Sequence, residues 1–251
     1  MKDPGWPEGY ARRVLDEVDS TNAEGLRLAK SLAGPTWIFA HRQVAGRGRR
    51  GRAWTDPAGN FAASLVLKPA EPPGQAALRS FVAALALHDA LSTLVPGAEL
   101  SLKWPNDVLL SGGKLAGILL EGSGSGRVMD HLVIGIGVNL AEAPPGAEGA
   151  VPPVSLRQGT GAEVAPETLL AHLAHAYAAR ETVFGARGFG PLREAWLARA
   201  ARLGEEVIAR TMRGETRGLF ETVDAEGKLV LKTEGGRVAI AAADVFFERG
   251  T

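Results

Sequence analysis

Residues 45–54 read AGRGRRGRAW, and no other run limits so tightly what this chain can fold into. Arg47, Arg49, Arg50 and Arg52 are interleaved with Gly46, Gly48 and Gly51. Glycine costs roughly 0.5–1 kcal/mol against alanine inside a regular element, and clustered cations repel one another unless something negative lies between them. The run is therefore read as a loop. Its glycines let the backbone approach a ligand closely, and each guanidinium offers a planar fork of donors matched to phosphate or carboxylate oxygens. Closure over an anion is one reading; a solvated basic loop, or one that touches nucleic acid, is the other.

The remainder of the chain bears on that choice. Across 251 residues, 28 Lys+Arg offset 28 Asp+Glu, so the formal net charge is zero and the positive field of the loop is local. A protein that coats nucleic acid is expected to carry a basic domain, so no sequence-specific DNA binding is expected. The absence of cysteine removes disulfides, thiol nucleophiles and cysteine-ligated zinc together. The opening MKDPGWPEGY has neither an apolar core nor a cleavage-like site, and no apolar run approaches the roughly 20 residues that span a bilayer. The expectation is a cytoplasmic protein with no membrane partner, long enough for one sizeable domain and a smaller one.

In chain order, Ser20-Thr21-Asn22 opens a helical pattern over residues 23–33 that Gly34-Pro35 stops. Thr21 with Glu24 fits a capping box, and the three polar residues at this helix start serve either to cap it or to hold a polar ligand. Residues 37–40 read as a buried strand that enters the basic loop through Gln43, and residues 61–67 as the strand that leaves it. Residues 78–95 are apolar nearly all round, as a helix buried against a sheet requires.

Two apolar runs, 100–110 and 114–121, flank Ser111-Gly112-Gly113 and predict a hairpin. Lys103 and Lys114 lie inside these runs, where a cation needs a partner. Asn106 and Asp107 follow Pro105 at a tight kink and serve either the turn or a polar site. Residues 132–140 predict a further strand in which Gly135 and Gly137 mark the close approach of a ligand or another backbone. A loop is expected over 141–165, with helices at 166–184 and 190–203. His172 and His175 share a helical face, but without a third ligand they read as packing or surface residues. From Gly204 the pattern changes to short strands at 206–210, 217–223, 228–232, 237–241 and 245–248, the grammar of a small β-barrel.

AGRGRRGRAW, KWPNDVLL, KLAGILLEG and GIGVNL, in this order and at these intervals, resemble the biotin protein ligases, also called biotin–[acetyl-CoA-carboxylase] ligases. The resemblance covers most of the chain from about Ser20 onward. It implies an α+β fold: a mixed β-sheet with helices, like that of class II aminoacyl-tRNA synthetases, followed by a small SH3-like β-barrel. The expected domains are residues 1–203, which bind biotin and ATP, and residues 204–251. The implied reaction joins biotin and ATP into biotinyl-5′-AMP, releases pyrophosphate, and passes the biotinyl group to one lysine of a biotin carboxyl carrier domain of a carboxylase. Ser20 leaves little room ahead of it for the winged-helix domain of the family's repressor members, so the monofunctional form is expected, with homodimerisation left open.

Carried over by position, the resemblance places Ser20, Thr21, Asn22, Gln43, Gly46, Arg47, Gly48, Arg49, Lys114 and Gly117 around biotin. It places Arg49, Arg50, Arg52, Trp54, Lys103, Asn106, Asp107, Lys114 and Asn139 around ATP and the adenylate. Arg47, Arg49 and Lys114 are the expected catalytic cations, since attack of the biotin carboxylate on the α-phosphate brings two anions together. Trp54 and Ile118 are candidates for the channel of the apolar biotin tail. No protein metal site is expected; Mg²⁺ is expected to come with ATP. The rival readings are a lipoate-type protein ligase, which shares the fold and the adenylation chemistry, and a non-enzymatic nucleic-acid-binding module.

Overall fold

The computed structural model describes residues 5–124, 127–145, 151–211 and 214–247. The chain enters through β1 (Ala11–Leu15), crosses by way of α1 (Thr21–Leu28) and returns as β2 (Thr36–Ala40), which pairs parallel to β1. Strand β1 is not legible in the sequence because its first four residues are all exposed, so the run lacks the alternation of a half-buried strand. There follow β3 (Phe61–Leu67), α2 (Pro73–Ala77), α3 (Arg79–Leu94), β4 (Leu100–Lys103), β5 (Asp107–Leu110), β6 (Gly113–Ser123) and β7 (His131–Val138). The seven strands form one mixed sheet in the order β1-β2-β3-β7-β6-β5-β4, antiparallel after the first pair. The predicted hairpin is β5–β6, turning through Ser111 and Gly112, both at positive φ (47° and 79°) as a tight two-residue turn demands. The first apolar run is itself divided: the chain reverses at Trp104-Pro105-Asn106 and β4 pairs back on β5.

Alternation along the strands gives the sheet two different faces. Phe61, Ala63, Leu65 and Leu67 of β3 and Leu132, Ile134, Ile136 and Val138 of β7 join the principal core. The same core takes in α3, α5 (Pro166–Arg187) and α6 (Gly190–Leu197). Phe39, Phe61, Leu85 and Leu91 are completely buried there, each stabilising the fold by about 1.5–3 kcal/mol. On the opposite face Ile38, Val66 and Val133 form a small second cluster with Ala29 at the end of α1, joined by Leu15, Leu26, Leu28 and Leu32. Helix α1 sits close: a Cβ at Gly25 would lie 2.8 Å from Val133 Cγ1. Beyond α1 this face is left for polar chemistry. The expected loop at 141–165 contains a short helix, α4 (Leu156–Thr160), whose capping box Ser155/Gln158 lies within the stretch the Pro-Pro pairs mark as irregular.

The last part of the chain forms β8 (Glu206–Thr211), β9 (Gly214–Val223), β10 (Leu229–Thr233), β11 (Gly236–Ile240) and β12 (Asp244–Phe247). They pair antiparallel in the order β11-β10-β9-β8-β12. The last predicted strand ran to Glu248, which lies outside the described residues. This sheet docks on the first part of the chain through Trp104, whose Nε1 donates to the Gly227 carbonyl at 3.0 Å. Gly227, at φ +79°, leaves no space for a Cβ against Leu78 and Phe81, both 2.9 Å from where it would stand. Among the described residues no helix is long and apolar enough to cross a membrane.

Candidate active site

The open face of the sheet is hollowed by glycine. Register places Ser64 beside Gly135 and Gly135 beside Leu119; two residues along, Ala62 faces Gly137 and Gly137 faces Gly117. The bare backbone at Gly117, Gly135 and Gly137 floors a cleft of about 330 Å³. The close approach expected of these glycines is made by the chain's own side chains. A Cβ at Gly135 would lie 2.1 Å from Asn22 Oδ1, one at Gly137 2.5 Å from Trp54 Cε2, and one at Gly117 3.1 Å from Trp54 Cζ3. The Trp54 indole thus lies across two paired glycines.

One end of the cleft is neutral and densely hydrogen-bonded. The helix cap is Ser20, which accepts the Ala23 N–H at 3.5 Å, and not Thr21 as the capping-box pattern suggested. Thr21 is released for other contacts. Its N–H and hydroxyl reach Gln43 Oε1 at 2.8 and 3.1 Å, and its oxygen lies 2.8 Å from the hydroxyl of Ser64. Ser64 also lies 2.6 Å from Asn22 Oδ1, while Asn22 Nδ2 donates to Glu121 Oε2 at 2.9 Å and to the Leu119 carbonyl at 3.3 Å. Behind Gln43, Asp56 accepts the Gln43 backbone N–H at 3.2 Å. Burial pushes the Asp56 carboxyl up, opposed by hydrogen bonds from the backbone and side chain of Gln43.

The other end is cationic. Asp107 stands between the two strand lysines, 2.7 Å from Lys114 Nζ and 3.7 Å from Lys103 Nζ, which supplies the partner both cations need. Burial holds the Lys103 ammonium below its ordinary value, and Asp107 opposes that shift. Lys114 Nζ also lies 5.9 Å from the centre of the Trp54 ring, and Lys103 Nζ 5.6 Å from that of Phe247.

The basic loop folds over this end, pinned where Arg47 bridges Ala53 and tightened by a single 3₁₀ turn, Arg49–Gly51. Arg50 and Gly51 take positive φ (57° and 72°). Arg49 donates to Asn106 Oδ1 at 3.2 Å, and burial lowers its guanidinium pKa, with Asp244 and Asp107 opposing. Self-repulsion predicts a loop ordered only by a bound anion. In the structure β12 supplies an anion of its own: Asp244 lies 3.0 Å from Arg50, 2.8 Å from Arg52 and 3.9 Å from Arg49.

Of the residues singled out in the sequence, Ser20, Thr21, Asn22 and Gln43 line the neutral end. Arg47, Gly48, Arg49, Arg52 and Trp54 come from the loop, and Lys103, Asn106, Asp107, Lys114 and Gly117 from the sheet beneath it. Three lie outside the lining. Gly46 is required by space, since a Cβ there would be 2.5 Å from the Trp54 carbonyl. Arg50 points to Asp244. Asn139 is buried and donates through Nδ2 to the carbonyls of Lys114 (3.4 Å) and Val154 (3.3 Å), tying down the start of β6. Ser64, Asp56, Glu121 and Asp244 were not singled out. Glu121 lies within the KLAGILLEG motif, next to its closing glycine, and could have been found from it; the other three carry no local signal. No group of three or more His, Cys, Asp or Glu side chains among the described residues is placed to hold a metal ion.

Residues 13–139 match the biotin/lipoate A/B protein ligase family, and residues 203–248 match the biotin protein ligase C-terminal domain. A biotin–[acetyl-CoA-carboxylase] ligase of Paracoccus denitrificans is 55% identical over 93% of this chain and 99% of its own length. The bifunctional ligase/repressor BirA of Bacillus subtilis is 31% identical over 92% of this chain and 72% of its own length. Among solved structures, a biotin protein ligase from Aquifex aeolicus in complex with biotin and ATP superposes with a TM-score of 0.82 at 28% identity, covering 96% of this chain and 99% of that one.

Proposed function

The chain belongs to the biotin/lipoate A/B protein ligase family, and from that premise we propose that it is an ATP-dependent biotin protein ligase whose acceptor is the biotin carboxyl carrier domain of a carboxylase. The observation that carries this reading is the polarity of one cleft, neutral and hydrogen-bonding at one end and cationic at the other. Biotin has the matching layout. Its ureido ring carries two N–H donors and a carbonyl, its tail is apolar, and its far end is a carboxylate. The ring is assigned to Ser20, Thr21, Asn22 and Gln43, the tail to the surface of Trp54 and Ile118, and the carboxylate to the neighbourhood of Lys114.

In the first step a biotin carboxylate oxygen bonds to the α-phosphorus of ATP as the bond to pyrophosphate breaks, giving biotinyl-5′-AMP. Two anions must meet, and Lys114, Arg47 and Arg49 offset their repulsion and stabilise the charge that develops. Lys103, Asn106, Asp107, Arg50 and Arg52 surround the nucleotide, and Asn139 positions Lys114 through its backbone. Mg²⁺ accompanies ATP and is held chiefly by phosphates and water, because Asp107 and Asp244 are already engaged by lysines and arginines. In the second step the carrier lysine amine attacks the acyl carbon and AMP leaves. We assign residues 1–203 to the catalytic domain and residues 204–251 to a C-terminal domain that lends Asp244 to the loop.

The test is incubation with biotin, Mg·ATP and a biotin carrier domain, followed by intact mass of the carrier. The expected result is a gain of one biotinyl group that disappears when ATP is omitted and does not occur with lipoate. Lipoylation in place of biotinylation, or no gain of mass, overturns the reading.

A further inference from the structure

The neutral end of the cleft is short of a proton. Four oxygens stand in a row, Gln43 Oε1, Thr21 Oγ1, Ser64 Oγ and Asn22 Oδ1, with successive separations of 3.1, 2.8 and 2.6 Å. Each is a hydrogen-bond contact and needs a proton, yet only the two hydroxyls carry one, since an amide oxygen cannot donate. Neither amide can turn to supply the third. Gln43 Oε1 is fixed toward Thr21 by the Thr21 backbone N–H at 2.8 Å. Asn22 Nδ2 is fixed away from the row by Glu121 and the Leu119 carbonyl. Both hydroxyl protons are therefore held within the row, and Thr21, Asn22 and Gln43 present lone pairs to the cleft they line.

Ser64 and Glu121 stand behind this wall. Ser64 is fully buried on β3, and neither residue is among those that line the cleft. We propose that Ser64 and Glu121 are positioning residues that fix the wall as a hydrogen-bond acceptor, so that the site selects a ligand presenting N–H donors there. In the parent chain, turning the Thr21 proton toward an acceptor on the ligand leaves two of the three contacts without a proton. Without Ser64 the Asn22 oxygen and the Thr21 oxygen both lose the hydroxyl that fixes them, so neither side chain is held to one orientation toward the cleft. Replacing Glu121 by glutamine turns a charge-assisted hold on Asn22 Nδ2 into a neutral one beside the Leu119 carbonyl, so the Asn22 amide is less firmly fixed with its oxygen toward the row.

This inference rests on the biotin reading, and its test separates the two. Calorimetry measures the affinity of the parent chain, Ser64→Ala and Glu121→Gln for biotin and for a cyclic-carbamate analogue in which a ring oxygen replaces one ureido N–H. The parent should prefer biotin by at least about 100-fold, because a site built for a donor rejects the analogue that lacks it. Each variant should shrink that preference at least about tenfold, with the KM for biotin raised; in Ser64→Ala the KM for ATP should be unchanged and kcat at saturating biotin within about threefold, whereas Glu121→Gln also releases Arg47, 3.8 Å from the Glu121 carboxylate, and is read by the ligand ratio alone. A structural role alone would weaken both ligands alike and leave their ratio intact. An unchanged ratio in both variants overturns the inference; a parent that binds no biotin overturns the functional reading beneath it. Glu121 is partly exposed (29% of its side chain), so its variant reports even where Ser64→Ala impairs folding.

Discussion

At the inner end of the cleft, Thr21, Asn22, Gln43 and Ser64 bond to one another at 2.6–3.1 Å, all within the seven-strand part of the molecule. At the outer end, Arg49, Arg50 and Arg52 share one counter-charge, Asp244, which follows Arg50 by 194 residues and belongs to the other sheet. The inner end is complete in one packed unit and rigid by construction. The outer end is balanced by a loan. On the proposed reading a phosphate competes with Asp244 for the same guanidinium forks, whereas a ligand docks on the inner wall without displacing any part of it. Selectivity at one end and capture at the other therefore draw on different physics, fixed hydrogen-bond polarity in the first case and exchange of one anion for another in the second.

The largest expected effect lies at the outer end. Lys114→Ala removes the cation nearest Asp107 and should slow single-turnover adenylate formation by about 10²-fold or more. Biotin affinity should change far less. A normal adenylation rate would place the essential charge elsewhere.

Next comes a matched pair that probes rigidity directly. In Gly135→Ala the new methyl meets Asn22, which three partners hold, and should destabilise the fold by about 1–3 kcal/mol in chemical denaturation. In Gly137→Ala it meets Trp54, which rides on the basic loop and can shift, so the loss should stay under about 1 kcal/mol. Equal losses would erase the distinction between the ends.

Smaller again is Asp244→Asn. Losing partly exposed pairs worth about 1 kcal/mol in all should speed amide exchange across residues 47–53 about fivefold, and addition of nucleotide should reverse the change. Biotin affinity should not move. Unaltered exchange would mean the loop is held by its own backbone and not by the acidic partner.

The smallest effect is a pH slope. Burial raises the Asp56 carboxyl above its ordinary 3.8, so the folded chain binds this proton more tightly than the unfolded one. Its contribution favours the fold at low pH and is lost as pH rises from about 4 through the raised value. Relative to Asp56→Asn, the parent should therefore lose stability over that rise, measured by denaturation at several pH values. The opposite slope would show that the Gln43 hydrogen bonds outweigh burial.

Much of the frame could be read in advance where composition conflicts with its surroundings. Four arginines among glycines cannot be a regular element, and a lysine in an apolar strand must have a partner, so the loop, Lys103 and Lys114 stood out. Ser64 did not, because one serine in FAASLVL is unremarkable until register sets it beside Gly135. Asp244 was invisible for a different reason: its role arises only when the second sheet packs over the loop, and nothing local foretells that. Thr21 was misread as the cap because it alone has a glutamate three residues on, Glu24, and only packing decides that Ser20 takes the cap while Thr21 turns inward. The run 114–121 already reaches Glu121; what it leaves out is the extension to Ser123, which follows from the pairing of β6 with all of β7.

The glycine floor separates the shape of the cleft from the strength of the sheet. Ladder bonds between β3, β7 and β6 are made by backbone atoms, so they are indifferent to whether positions 117, 135 and 137 carry side chains. Depth can thus be adjusted in steps of a single carbon while the scaffold keeps its pairing, and each position gauges a different part of what lies above it. Gly135 sets how close Asn22 lies to the sheet, and Gly137 with Gly117 sets how close the Trp54 indole lies. A molecule organised in this way sets the depth of its cleft in three absent methyl groups, since a methyl at any of them would lift Asn22 or the indole off the sheet.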